Sequence, residues 1–284
     1  MPASPTQPAP VRCRQIGPAD LEAVADLLAR GFPAKPRKYW TTALERLARR
    51  GAPEGRPRFG YLLEADGAVV GVLLLIFSGS AGRVRCNISS WYVEPEHRGH
   101  AAQLARIATR QADVTYLNVS AARHTWPILE AQGYRRYSEG QFLGLAVLSP
   151  ARGRKARALC EADRSLADYD LLRAHADAGC HAVVCDTPDG PAPFLFLRRR
   201  VERLPFPVMQ LIYERDSGSL VACAGAVGRF ILAQGAPAVL CDATGPVPGL
   251  VGVFFKDRTP RYFKGPERPA LNDLSFTEMV VFGP

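Results

Sequence analysis

The stretch from Val84 to Ala112 constrains this chain more than any other. A β-rich run, Val84 to Val93, ends just before Pro95. A polar turn holding Arg98 and Gly99 follows, and an alanine-rich helix over residues 101–112 starts without a bulky residue. Strand, turn and helix in this order bring backbone N–H groups to a helix N-terminus, whose partial positive charge favours an anion such as phosphate. Arg98 adds a charge-assisted donor. Gly99, Ala101 and Ala102 let a phosphate come close to the main chain.

Tyr92-Val93-Glu94-Pro95 followed by Arg98-Gly99 resembles the acyl-CoA-binding motif of the GNAT N-acyltransferase superfamily. In that family a splayed central strand ends in a similar run, and a turn of the form Arg/Gln-x-x-Gly-x-Gly/Ala holds the CoA pyrophosphate. The two later small positions fall here on Ala101 and Gln103, so a glutamine stands where the family has a small residue. Ile128-Leu129-Glu130-Ala131-Gln132-Gly133-Tyr134 resembles the second signature, Leu-Tyr-Glu-x-x-Gly-Phe. The resemblance covers roughly residues 10 to 145 and implies a mixed α/β sheet of GNAT type. It also implies acetyl-CoA or another acyl-CoA as cosubstrate, held by Trp91, Tyr92, Val93, Arg98, Gly99, His100, Ala101, Ala102 and Gln103, with His97 as a further contact. The acceptor would be an amine of a small molecule or peptide.

The order of elements agrees. Val11 to Ile16 reads as a strand, and Asp20 as the cap of a helix whose Leu21, Val24, Leu27 and Leu28 recur at helical spacing. Tyr39 to Arg49 reads as a second helix. Phe59 to Glu64 and Ala68 to Phe77 read as strands joined by the hairpin signal Ala65-Asp66-Gly67. Val114 to Val119 is a further strand, and Trp126 to Gln132 a short helix ended by Gly133.

Acyl transfer to an amine needs a base, an oxyanion donor and an acid for the leaving thiolate. The resemblance gives the oxyanion role to the amides of Trp91 to Val93. Leu129 stands at the family's acidic tyrosine and Ala122 at its asparagine. His124 is a candidate acid or base, since an imidazole titrates near neutral pH. Ser89 and Ser90 are candidates for positioning water or substrate, because strand alternation sends one of them to the cleft side. Glu94 and Glu96 read as solvated, and Cys86 as a buried, inert thiol. Two functional readings stay open: an acyl-CoA-dependent transferase, and a GNAT-fold ligand-binding or regulatory protein without catalysis.

In the second half, Ser149 to Arg164 reads as a connector. A helix over Leu166 to Ala178 follows. Strands are expected at His181 to Cys185, Phe194 to Val201 and Val208 to Glu214, a helix at Val221 to Gln234, and a strand at Ala238 to Asp242. Thr259 to Phe263 and Thr277 to Phe282 read as closing strands. The order repeats that of the first half and implies two GNAT-like domains in tandem, the second degenerate. Its turn, Arg215 to Ser219, lacks the Pro-x-x-Arg-Gly pattern but is polar and contains glycine. The expected division is a leader over 1–10, an acyl-CoA-binding domain over 11–148, a linker over 149–164 and the second domain over 165–284.

With 284 residues, 47% of them hydrophobic, the chain can bury a sizeable core. A net charge of +9 suits an anionic ligand such as CoA. Arg198 to Arg200 is the dense basic cluster, but it lies in strand-like sequence without interleaved aromatics, so nucleic acid is not the expected partner. No apolar run is long enough to span a bilayer. The proline-rich start lacks an export signal, and seven cysteines, an odd number, suit reduced thiols in the cytoplasm. His175, Cys180, His181 and Cys185 match no metal-site spacing, so no metal is expected.

Overall fold

A computed structural model describes residues 10–79, 83–202 and 204–283, so the expected leader lies outside the described residues but for Pro10. The chain forms two compact units, Met1–Tyr116 and Leu117–Pro284.

In the first unit, strands β1 (Arg12–Gln15), β2 (Gly60–Ala65), β3 (Ala68–Ser78) and β4 (Val84–Val93) pair in sequence order, each antiparallel to the next. β2 and β3 are joined by Asp66 and Gly67, both at positive φ (50° and 75°). This is the turn whose twist matches that of the flanking strands. Helices α1 (Leu21–Gly31) and α3 (Ala101–Ala108) both pack against β3. With both faces covered, β3 reads as a continuous apolar run rather than an alternating one. Helix α2 (Arg37–Arg50) buries Trp40, Ala43, Leu44 and Leu47, one stripe at helical spacing. Asp20 occupies the N-cap position of α1, as the sequence predicts, but its side chain makes no hydrogen bond to the first turn of that helix. It sits in a 3-10 turn, where its carboxylate accepts the Gly17 N–H (2.8 Å) and pairs with Arg14 (2.7 Å).

The division between the units falls inside β5 (Val114–Asn118). The second unit then runs α4 (Trp126–Ala131), β6 (Arg135–Gly144), β7 (Lys155–Ala158), α5 (Tyr169–Asp177), β8 (His181–Thr187), β9 (Gly190–Arg199) and β10 (Val208–Glu214). It continues with α6 (Ser219–Ala233), β11 (Ala238–Ala243), β12 (Gly252–Lys264) and α7 (Glu278–Val281). Its strand order is β12-β6-β11-β10-β9-β8-β7, antiparallel throughout except for the parallel pair β10–β11.

Three expectations differ here. The compact division is not at 149–164, because β6 gives one edge to β11 and the other to β12, both from the far end of the chain. The stretch 149–164 is not a bare connector. It carries β7 and the start of a 3-10 turn, tied by Arg157 to Asp163 through two hydrogen bonds of 2.7 Å. Thr277 to Phe282 is not a strand but holds α7, where the Thr277 carbonyl accepts the N–H groups of Val280 and Val281. Thr259 to Phe263 does lie in β12.

Helix α6 packs one core of this unit, with Phe194, Phe196, Met209 and Val239 from the sheet. Gly225 and Gly228, one helical turn apart, let α6 lie directly on the main chain of residues 146–150. A Cβ at Gly228 would fall inside the contact radius of the Val147 nitrogen. Gly228→Val is therefore expected to destabilise the protein by about 3 kcal/mol, the upper part of the overpacking range. A urea midpoint equal to wild type would refute this close approach.

The opposite face carries a buried polar chain. Arg261 (1% exposed) donates from Nε and Nη2 to the two carboxylate oxygens of Asp242 (2.8 and 3.0 Å), and from Nη1 to the Val119 carbonyl. The Asp242 N–H donates to Asn272 Oδ1 (2.7 Å), and Asn272 Nδ2 to Glu214 (3.1 Å). Burial opposes the charge on Arg261, but the Asp242 carboxylate outweighs it and holds the guanidinium above its ordinary value. Among the described residues no helix is long and apolar enough to cross a membrane, and all seven cysteines are free thiols.

Candidate functional site

The site begins with a break in β4. Tyr92 pairs with Val72 and Ser89 with Leu74, so Ser90 and Trp91 together face Leu73. Ser90 takes a φ of 53°, which a non-glycine residue seldom adopts. An extra residue of this kind bends a strand and re-aims its side chains. The alternation expected of Ser89 and Ser90 therefore fails. Instead of pointing to opposite faces, their hydroxyls meet at 3.0 Å, with Ser89 buried and Ser90 half-buried. Cys86 is fully enclosed, and burial pushes its thiol well above the ordinary range.

Beyond the bulge, Val93 is buried while Trp91 and Tyr92 are half-buried. The Tyr92 ring lies under Gly31, where any Cβ would collide with it, and 6.1 Å from the Phe32 ring. Phe32 in turn stands 5.4 Å from Trp40, whose buried indole N–H has no partner among the described residues. This aromatic wall escaped the sequence reading. Its sole local sign is a glycine followed by a phenylalanine at the end of a helix. Glu94 is not simply solvated but pairs with Arg30 of α1 (2.8 Å).

The expected turn of free N–H groups is a 3-10 turn over Pro95–His100 that runs straight into α3. Tighter winding takes up part of the donor set: the His97 N–H bonds to the Glu94 carbonyl and the Ala101 N–H to that of Arg98. Arg98 and Gly99 are exposed, and Arg98 has no hydrogen-bond or ion-pair partner among the described residues. A Cβ built on Gly99 meets nothing within 4 Å. Gln103 turns its amide toward His100 (Nδ1 to Oε1, 3.3 Å), and Ala101 and Ala102 stay at least partly open. Leu104, Ala105 and Ala108 fix the helix to the core.

The remaining candidates belong to the second unit. His124 is exposed in a 3-10 turn, Arg123–Thr125, just before α4. Leu129, at the tyrosine position of the second signature, is 2% exposed and packs in the core, as does Tyr134. Gly133 ends α4 at a φ of 84°, as its type predicts. A phenol reaches α4 from 132 residues away: Tyr262 on β12 donates to Glu130 (3.2 Å) and accepts from Arg136 Nε (2.8 Å). Fully enclosed, it ties α4 to β12. His175 uses both ring nitrogens, Nδ1 donating to the Leu171 carbonyl (2.7 Å) and Nε2 accepting the Phe276 N–H (3.0 Å).

At the turn before α6, the anion position is taken by the chain itself. The Glu214 carboxylate accepts the Leu220 N–H (3.0 Å) at the helix N-terminus, and Gly218 supplies a φ of 90°. Burial raises the Glu214 carboxyl above its ordinary value, against the pull of its hydrogen-bond donors.

No protein-family model matches this chain, and no curated protein matches it. Solved structures do. The GCN5-related N-acetyltransferase from Kribbella flavida superposes with a TM-score of 0.56 at 16% identity, over 92% of this chain and 72% of that one. The GCN5-related N-acetyltransferase from Anabaena variabilis gives 0.56 at 9% identity, over 89% and 72%. This chain has the GNAT fold. Eis1 from Mycobacterium abscessus extends the likeness, with a TM-score of 0.51 at 14% identity over 89% and 73%. At these identities the likeness is one of fold, and activity has to be argued from the site. The bulge at Ser90 immediately precedes Trp91, and the Pro95–His100 turn carries Arg98, Gly99 and His100.

Proposed function

We propose that the chain is an N-acyltransferase that moves an acetyl or other acyl group from acyl-CoA to a primary amine of a small molecule or peptide. One observation carries the reading. Within a single unit of a GNAT fold, a bulged β4 leads into an exposed turn and α3, with an unpaired cation, Arg98, and open space at Gly99. Arg98 and the start of α3 hold the pyrophosphate, helped by His100, Ala101 and Ala102. The bulge leaves Trp91 out of register with β3 while Tyr92 and Val93 stay paired, and the amides at Trp91 to Val93 are assigned to the oxyanion on the thioester carbonyl.

The neutral amine attacks that carbonyl within a ternary complex. A new C–N bond forms as the C–S bond breaks. The proton lost by the amine goes to a base, and the thiolate leaves to be protonated. His124, exposed before α4, is the candidate base, and the paired hydroxyls of Ser89 and Ser90 are candidates for ordering water or substrate. The second half reads as a degenerate copy: β8, β9 and β10 form an antiparallel meander, followed by α6 and the parallel strand β11. The free thiols fit a reducing, cytoplasmic setting.

The core position of Leu129 favours a second reading, a GNAT-fold protein that binds acyl-CoA without turning it over. Calorimetric titration with acetyl-CoA and CoA, followed by an amine screen for released thiol, separates the two. Binding with thiol release supports the transferase, binding without release supports the second reading, and no binding defeats both. His124→Ala is expected to lower turnover by roughly a hundredfold, the scale of a lost acid–base group, with acetyl-CoA affinity unchanged. Full activity would remove His124 from the mechanism.

A further inference from the structure

The second unit holds a pair of arginines that acyl-CoA chemistry does not use. Cross-strand pairing puts Asp242, Gln141 and Phe255 on one face of the sheet, since directly paired residues share a face. Gln141 donates to Gln210 Oε1 (3.2 Å), and both glutamines are almost wholly buried (2% and 0% exposed). Arg199 reaches the same Gln210 oxygen (3.4 Å), and Arg258 lies 5.9 Å above the Phe255 ring. Arg261 completes the group.

The charges acting on Arg199 are the guanidiniums of Arg261 and Arg258 and the carboxylate of Asp242. Asp242 is saturated, because Arg261 holds both of its oxygens. The neighbouring Asp257 is engaged by Arg136 (2.8 Å). Neither Arg199 nor Arg258 has an ion-pair partner among the described residues, so both guanidiniums keep donors for an incoming anion. Arg199 is only partly exposed. Burial lowers its pKa, the charge of Arg261 lowers it further and Arg258 adds to this, against a smaller opposing pull from Asp242. A guanidinium drawn out of water beside two like charges is costly to keep without a counter-ion. The chain does not relax away from the arrangement: Arg258 sits between Asp257 and Thr259, both at positive φ (57° and 48°) in the irregular part of β12. Such strain in a β-branched residue persists only where surrounding structure imposes it.

We propose that Arg199, steadied from below by the buried Gln210, and Arg258 form a binding site for a phosphate monoester on this face of the second unit. A dianion can accept from both guanidiniums, whose planar forks suit phosphate oxygens. The site is separate from the Arg98 turn and does not depend on it.

The test is thermal unfolding of the full chain with inorganic phosphate, against sodium chloride of equal ionic strength. Wild type, Arg98→Glu, Arg199→Gln and Arg258→Gln are compared. Phosphate is expected to raise the melting temperature of wild type and of Arg98→Glu alike. The apparent affinity should fall on the order of tenfold in Arg199→Gln and in Arg258→Gln, the loss of one charge-assisted contact. Arg258 is exposed, so its replacement carries the test even if the Arg199 variant folds poorly. Equal stabilisation by chloride would overturn the proposal. So would a phosphate effect lost in Arg98→Glu but kept in both other variants, which would assign the anion to the acyl-CoA turn.

Discussion

Arg261→Met is expected to cost about 3–5 kcal/mol, the penalty for leaving one member of a buried ion pair without its partner. Asp242 would then keep a carboxylate out of water with nothing opposite it, and the Val119 carbonyl would lose its donor. Urea unfolding followed by fluorescence reads the loss as a lower midpoint at unchanged slope. The double replacement Arg261→Met with Asp242→Leu should recover a large part of it, because removing both charges also removes their desolvation cost. A single variant as stable as wild type would mean that the pair does not hold β11 and β12 to the end of β5.

The second large effect concerns the ligand rather than the fold. Arg98→Glu is expected to weaken acetyl-CoA binding by roughly ten- to hundredfold, since it replaces a charge-assisted donor with a repelling carboxylate. Gly99→Val separates binding from folding. A Cβ at Gly99 meets nothing within 4 Å and its backbone is not at positive φ, so the free protein should keep its melting temperature. Acetyl-CoA affinity should nevertheless collapse, because the branched side chain fills the space through which a phosphate reaches the main chain. Calorimetry with both variants decides the matter, and unchanged affinity in either would remove the turn from the binding site.

Features that depend on a few adjacent residues could be read from the chain. Asp66-Gly67 specifies its hairpin because few residues accept positive φ. The spacing of Trp40, Ala43, Leu44 and Leu47 marks a helix face. The Tyr92-to-Gln103 motif announced the GNAT fold and the candidate acyl-CoA turn. The polar turn before α6 could be found, but not its occupant, because the Glu214 carboxylate that fills it belongs to the preceding strand.

What the chain did not reveal depends on partners distant in sequence. Nothing in Arg135–Gly144 says that β6 will lie between β11 and β12, for strand pairing is decided by packing and edge matching summed over the whole sheet. The bulge at Ser90 is likewise a product of register against β3. Arg261 sits 19 residues from Asp242 and 142 from Val119. Turn chemistry, helix periodicity and the strand–turn–helix order of the candidate anion site were therefore determined by sequence alone. The strand order, the meeting of Ser89 with Ser90 and the charges around Arg199 were decided only in tertiary structure, where low-dielectric contacts bring distant groups within a few ångströms.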